Sequence, residues 1–400
     1  MKIGILTSYF YNQIAEIHGQ DRIIYGGAER YLVELCKLLK AEGHEVDVFQ
    51  AIAYTQEEYK NMAQMHKQNG QVTKYYHGIK IVCFLEADRW QYNTNMRLNM
   101  LFNGYALHYD LAVYFSTFVA WPQVRRPAIT ICHGIYWDYT HSTYKSLPEE
   151  EKREFIKRQF YGFTAPDVCI SVDSNVKKVL SAIEPGSAGR TKIINNFVDT
   201  EKFVPGVKDW SGTRILYPRR LSILRGQNEF IRASREHPEY DYIAVGQATA
   251  AELDKSAAAW GNTTPHIRFV NKPMDGMEEV YQKADIAVIP TNACEGLSMS
   301  LLEAMSCGLP IITTPVGGLG DAVINRYNAL IYDPDFEKLG DYIHYLAQDK
   351  ELRRLFGERN RQIACDCFDI KLWQNEWRRV LGLFDTTTIA NGYRQKQKLV

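Results

Sequence analysis

Between Cys294 and Gly308 the chain reads C-E-G-L-S-M-S-L-L-E-A-M-S-C-G, which sets Glu295 and Glu303 in an E-x7-E spacing. The first carboxylate stands beside Gly296 in a loop. The second falls inside a short apolar helix that Ser298 or Ser300 is suited to cap and that Gly308-Leu309-Pro310 ends. A glycine-serine turn feeding a helix N-terminus presents backbone N–H groups outward, and such groups hold a phosphate. Carboxylates are poor phosphate ligands but good acceptors for hydroxyls. A ligand both phosphorylated and polyhydroxylated, such as a sugar nucleotide, matches that combination. A plainer reading of one of the two also stands. Ser300-x-x-Glu303 is a capping box, in which the glutamate only satisfies the amide of the cap residue. Glu295 precedes the helix and has no such role.

Cations recur at a second place. Leu216-Tyr217-Pro218-Arg219-Arg220-Leu221 ends an apolar run, and Arg225-Gly226 follows after a short loop. Ligands of open α/β sheets bind beyond the carboxyl ends of strands, where these arginines fall. Arg220 and Arg225 can clamp a diphosphate through bidentate hydrogen bonds. Alone they read more simply as a solvated basic loop; the glutamate motif reverses that balance. Tyr25-Gly26-Gly27-Ala28-Glu29 marks a loop-to-helix junction suited to an anion or a close sugar. The run 129–132 ends in His133-Gly134, where a histidine either packs or faces a cleft. Pro315-Val316-Gly317-Gly318-Leu319-Gly320-Asp321 follows a strand, and its glycines let backbone approach a ligand. No G-x-G-x-x-G occurs, which argues against a dinucleotide dehydrogenase.

The elements that position these residues are legible in the hydrophobic pattern. Residues 2–8 read as a strand, 27–40 as a helix with Tyr31, Leu32, Leu35, Leu38 and Leu39 on one side, and 45–49 as the next strand. Further strands are expected at 79–85, 110–115, 128–132, 168–172 and 192–194, then at 213–217, 242–245, 266–270, 285–290, 310–314 and 329–332. Helical patterns at 228–236 and 277–283 alternate with the second series. The segment 197–212, with Pro205, Gly206 and Gly212, reads as a linker. Two doubly wound α/β halves facing each other are the economical architecture.

Composition agrees with a globular enzyme. The 400 residues allow two domains, with 46% hydrophobic and 24% charged residues. A net charge of zero gives no electrostatic footprint for nucleic acid. The eight cysteines are scattered without a C-x-x-C, the usage of reduced thiols in a cytoplasmic protein. The opening M-K-I-G-I-L reads as a strand rather than a signal peptide, and no apolar run is long enough to span a membrane.

E-G-x-S-x-x-x-x-E followed by A-M-x-x-G-x-P-I-I resembles the E-x7-E signature of the retaining, metal-independent GT-B glycosyltransferases, in particular family four. The resemblance covers about residues 1–385 and is strongest over 213–333. It implies two facing Rossmann-like domains with an interdomain cleft: residues 1–205 acceptor-binding, 206–370 nucleotide-sugar-binding, a crossover helix at about 371–385, and a tail at 386–400. It places Arg220 and Arg225 on the family's R-x4-K pair, with arginine for the usual lysine. It assigns Glu295 to the donor-sugar hydroxyls, Glu303 to the ribose, and His133 to the transferred sugar. Gly296, Leu297 and Ser298 supply diphosphate amides, and Gly26-Gly27 belongs to a G-G-A-E signature. Asp321, where the family usually has glutamate, receives no catalytic role.

The reaction implied is transfer from a nucleoside-diphosphate sugar, UDP-sugar favoured over GDP-sugar, to a saccharide, lipid-linked or other hydroxyl acceptor. Neither a cofactor nor a metal is implied. A non-catalytic sugar-nucleotide-binding subunit and a GT-B epimerase or phosphorylase remain as alternatives. The mixed-charge helical segment 149–158 leaves two readings open, a solvated face, which is favoured, and peripheral contact with the inner face of a membrane.

Overall fold

The computed structural model describes residues 1–11, 26–52, 71–85, 92–135, 137, 147–219, 221–246, 267–271, 276–293 and 295–384. The first of two sheets contains β1 (Lys2–Leu6), β2 (Glu45–Ile52), β3 (Gln71–Tyr76), β4 (Ile79–Leu85), β5 (Leu111–Tyr114), β6 (Ala128–Cys132), β7 (Val168–Ser171) and β8 (Thr191–Ile193). Their order is β3-β4-β2-β1-β5-β6-β7-β8. The second contains β9 (Arg214–Tyr217), β10 (Asp241–Gly246), β11 (Ile267–Asn271), β12 (Ile286–Ile289), β13 (Ile311–Thr313) and β14 (Ala329–Ile331), ordered β11-β10-β9-β12-β13-β14. The central strands are short apolar runs buried along their whole length, such as Ile-Ala-Val-Ile in β12. That is the pattern of parallel strands covered by helices on both faces. The chain therefore adopts the doubly wound two-domain α/β architecture expected of it.

One described pairing is antiparallel, β3 with β4. The sequence reading missed β3, although its turn carries a signal. His77 and Gly78 both have positive φ, 47° and 72°, the two-residue turn that matches strand twist in a hairpin.

Helix α1 (Gly27–Ala41) buries Tyr31, Leu32, Leu35, Leu38 and Leu39 in the core of the first sheet. The remaining α-helices among the described residues are, in order, α2 (Tyr92–Tyr105), α3 (Glu149–Thr164), α4 (Asn175–Ile183), α5 (Pro185–Arg190), α6 (Gln227–Glu236), α7 (Met277–Gln282), α8 (Met299–Ser306), α9 (Leu339–Gln348), α10 (Lys350–Cys367) and α11 (Ile370–Leu381). The last of these returns to the first half. Trp373, Trp377, Val380 and Leu381 join the core that holds Tyr31, and the Trp377 indole N–H donates to the Tyr31 hydroxyl at 2.8 Å. The chain thus passes between the halves twice. The two passages touch: Val198 N–H donates to the Phe368 carbonyl and Ile370 N–H to the Val198 carbonyl, both at 2.9 Å.

The described cysteines are free thiols, most of them buried. No described helix is long and apolar enough to cross a membrane.

Candidate active site

β9 and β12 are neighbours at the middle of the second sheet, and the loops beyond their carboxyl ends carry the charged residues. Glu295 Oε2 receives Arg219 Nη2 at 2.7 Å and also pairs with Arg225 Nη1. Arg219 is buried; its Nη1 donates to Thr291 Oγ1 at 3.0 Å and to Ser298 Oγ at 3.4 Å. Burial draws this guanidinium's pKa down, yet arginine stays charged in proteins. A buried cation of that kind requires a carboxylate partner, and Glu295 supplies it. Gly226 explains how Arg225 reaches the same carboxylate. Its φ is +78°, and a Cβ there would lie 1.7 Å from the Pro290 carbonyl oxygen, so the turn lies flat against the end of β12.

The second carboxylate is held differently. Ser298 is the N-cap of α8, and no side chain caps the helix. The capping box therefore does not form, and the Ser298 hydroxyl faces Arg219 instead of the helix amides. Glu303, 7% exposed, accepts the Tyr281 hydroxyl on Oε2 at 2.8 Å and pairs with Arg30 through Oε1. Tyr281 belongs to α7. Burial and the adjacent Glu303 push its pKa well up, so it remains a donor at working pH. Arg30 comes from α1, in the other half of the molecule.

The first half closes on this region at three further points. The carbonyl of His133, just past β6, abuts Gly296 so closely that a Cβ on that glycine would sit 2.5 Å from the oxygen. Asn196 Nδ2 donates to the Leu297 carbonyl at 2.5 Å. Met299, at the start of α8, packs into the core cluster of the first half, and Gly26-Gly27 opens α1 beside it. The His133 ring lies between Tyr31 and Phe115, with centroids 5.6 and 4.7 Å away. Desolvation lowers its pKa to about 4, opposed by a hydrogen bond to the Phe115 backbone, so the ring is neutral near pH 7. Its Nε2 is buried and has no hydrogen-bond partner among the described residues. In the neutral ring this nitrogen can accept a hydrogen bond when the other carries the proton.

Arg225, Glu295, Gly296, Leu297, Ser298 and Glu303 are thus brought to one face of the second half, with His133, Gly26 and Gly27 opposite. Arg220 lies outside the described residues, as do Tyr136, Asp138 and part of the stretch 270–273 expected near the base. The glycine loop behaves otherwise than expected. Gly318 N–H donates to the Glu295 carbonyl at 3.0 Å, so the loop braces the glutamate from behind. Asp321 accepts Ser174 N–H at 2.6 Å, Ser174 Oγ at 2.5 Å and Asn195 Nδ2 at 3.4 Å, joining the two halves.

Sequence reasoning missed Arg219, Tyr281 and Arg30 as members of the site. Arg219 was read only as part of a basic run. Arg30 carried a faint signal, since a cation in the first turn of a helix opposes the helix dipole and needs an outside partner. Among the described residues no trio of potential metal ligands gathers at this face.

Two doubly wound α/β sheets in one chain are the layout of GT-B glycosyltransferases such as the solved structures this chain matches. Family models match both halves: the one described as Glycosyltransferase Family 4 over residues 25–202 and the one described as Glycosyl transferases group 1 over residues 199–363. The chain belongs to this family-four type of GT-B glycosyltransferase. It is 33% identical over 105 residues to an uncharacterized glycosyltransferase of Methanocaldococcus jannaschii, covering 26% of this chain and 30% of that protein. It is 23% identical over 261 residues to a D-inositol 3-phosphate glycosyltransferase of Corynebacterium urealyticum, covering 59% and 60%. The chain spans less than two thirds of the length of these curated relatives. Among solved structures, sucrose-phosphate synthase from Thermosynechococcus elongatus superposes with a TM-score of 0.74 at 17% identity over the whole of both chains. Anabaena HepE in complex with UDP-glucose gives 0.69 at 18% identity, covering 96% of this chain and 99% of that one. These structural likenesses concern the fold.

Proposed function

We propose that the chain transfers a hexosyl group from a nucleoside-diphosphate sugar to a hydroxyl of a saccharide or lipid-linked acceptor, with retention and without a metal. The observation that carries this reading is Glu295, fixed by Arg219 and Arg225 at the start of α8. Cleaving a glycosyl–phosphate bond develops positive charge on the anomeric carbon and negative charge on the departing diphosphate. Arg225, with Arg220 five residues before it in sequence, and the uncapped start of α8 supply fixed positive charge for that leaving group. Both arginines reach Glu295 through Oε2, which leaves Oε1 for a donor-sugar hydroxyl. Glu303 accepts from the ribose, a carboxylate having about four acceptor positions of which Tyr281 and Arg30 take part. Neutral His133 meets the transferred sugar through Nε2. The departing phosphate helps deprotonate an acceptor arriving on the same face, which yields retention. Preference for a UDP-sugar draws on Anabaena HepE, solved with UDP-glucose.

The test is donor binding and slow donor hydrolysis across UDP-, GDP-, ADP- and TDP-sugars in EDTA, for the parent chain and Arg225→Ala. Saturable binding of one donor, release of free sugar, and loss of both in the variant is the expected result. Binding of none, or turnover that requires added metal, would overturn it in favour of a non-catalytic or chemically different role.

A further inference from the structure

At the far end of α6 from Arg225, three side chains converge outside the site described above. His237 directly follows the helix, Glu239 stands two residues on, and His344 lies in α9, which packs alongside. Glu239 Oε1 is 3.3 Å from His237 Nδ1 and 3.6 Å from His344 Nδ1. The two imidazoles stack with centroids 4.8 Å apart and planes 21° from parallel. One ligand atom from each of the three residues falls within 4.8 Å of the others.

We propose that His237, Glu239 and His344 form a binding site for a zinc-type divalent ion. A tetrahedral zinc bound to nitrogen and oxygen at about 2.0–2.1 Å sets its ligand atoms about 3.3 Å apart. Both oxygen-to-nitrogen edges are already near that length, and the stacked rings, one exposed and one half-buried, must tilt towards each other to close the third. Two imidazoles and one carboxylate suit zinc, and exposure of Glu239 and His344 leaves a vertex for water. His344 Nδ1 is also 3.0 Å from the Tyr240 hydroxyl, which receives Gln348 Nε2 at 3.0 Å, so an ion taking that nitrogen would displace the hydroxyl from it. The charged neighbours are Glu236 and Lys338, whose own pair spans 3.9 Å, so the carboxylate of Glu239 is the charge offered to the ion.

The bound ion would tie the turn after α6 to α9. The ten-residue α6 separates it from Arg225 by about 15 Å, at about 1.5 Å per residue, so it would brace the domain without touching the transfer chemistry. Binding and catalysis are therefore separable by experiment.

The test uses untagged, EDTA-stripped full chain carrying Cys365→Ser and Cys367→Ser, which removes thiols that could also take zinc. Titration with zinc chloride at pH 7.5 is read by calorimetry and thermal unfolding, and cobalt(II) by its visible absorption. Expected are one site per chain, a rise in Tm on zinc addition, and tetrahedral cobalt absorption. His344→Ala should abolish all three. Glu239→Gln should weaken binding about tenfold or more. Both variants should unfold like the parent in EDTA, since the side chains are exposed. No saturable binding, or zinc binding unchanged in the His344→Ala/Glu239→Gln double variant, would overturn the proposal.

Discussion

The two carboxylates of the E-x7-E motif sit one helix apart and are restrained in opposite ways. Glu295 is held within its own half by two arginines from the loop after β9. Glu303 is held by Tyr281 from its own half and by Arg30 from the other. The first arrangement is indifferent to how the halves stand relative to each other; the second exists only when they are together. One glutamate is therefore fixed within a single half, while the other also depends on contact between the halves.

The largest expected effect falls on the member fixed within a single half. Glu295→Gln keeps the shape but loses the charge that orders both arginines, and transfer should fall on the order of 100-fold or more, about 3 kcal/mol of transition-state stabilisation. Initial rates with labelled donor would check this, and a loss below fivefold would contradict it. Arg219→Met removes a buried partner and should cost about 3 kcal/mol of stability by urea denaturation. The same substitution placed on Glu295→Gln should cost much less, because no uncompensated charge remains.

His133 gives a pH signature of similar size. Its folded pKa of about 4 lies below the ordinary 6.5, so below pH 6.5 the unfolded chain takes up a proton that the folded chain refuses. Stability from this group is complete above pH 6.5 and falls by about 1.4 kcal/mol per pH unit towards pH 4. His133→Gln should flatten that slope in denaturation series at successive pH values. A parallel slope in the variant would assign the acid sensitivity elsewhere.

The smallest effect belongs to the contact between the halves. Arg30→Ala should lower stability by on the order of 1 kcal/mol, because Glu303 keeps the Tyr281 hydroxyl as a partner. Its sharper readout is shape. Small-angle scattering should show a larger radius of gyration for Arg30→Ala than for the parent, and an unchanged radius would mean the other contacts suffice.

Much of this was legible in the sequence because it rests on local signals. Continuous apolar runs marked the buried strands, and glycine–serine and glycine–glycine turns marked the helix starts. The edge strand β3 escaped because Gln71–Tyr76 is half polar and its identity as a strand depends on pairing with β4. Arg30 and Tyr281 escaped for a stronger reason: nothing near them in sequence indicates that both meet Glu303. Ser300-x-x-Glu303 misled in the opposite direction, offering a local partner that the helix, whose N-cap position is Ser298, does not use.

The doubled passage between the halves has a mechanical consequence. Because Val198 is hydrogen-bonded to both Phe368 and Ile370, the connection is a short ribbon rather than a single thread. A thread swivels freely, whereas a ribbon bends easily about one line and resists torsion. Were the halves to part about that line, the Arg30 guanidinium would leave Glu303 along one arc and return to it in the same register.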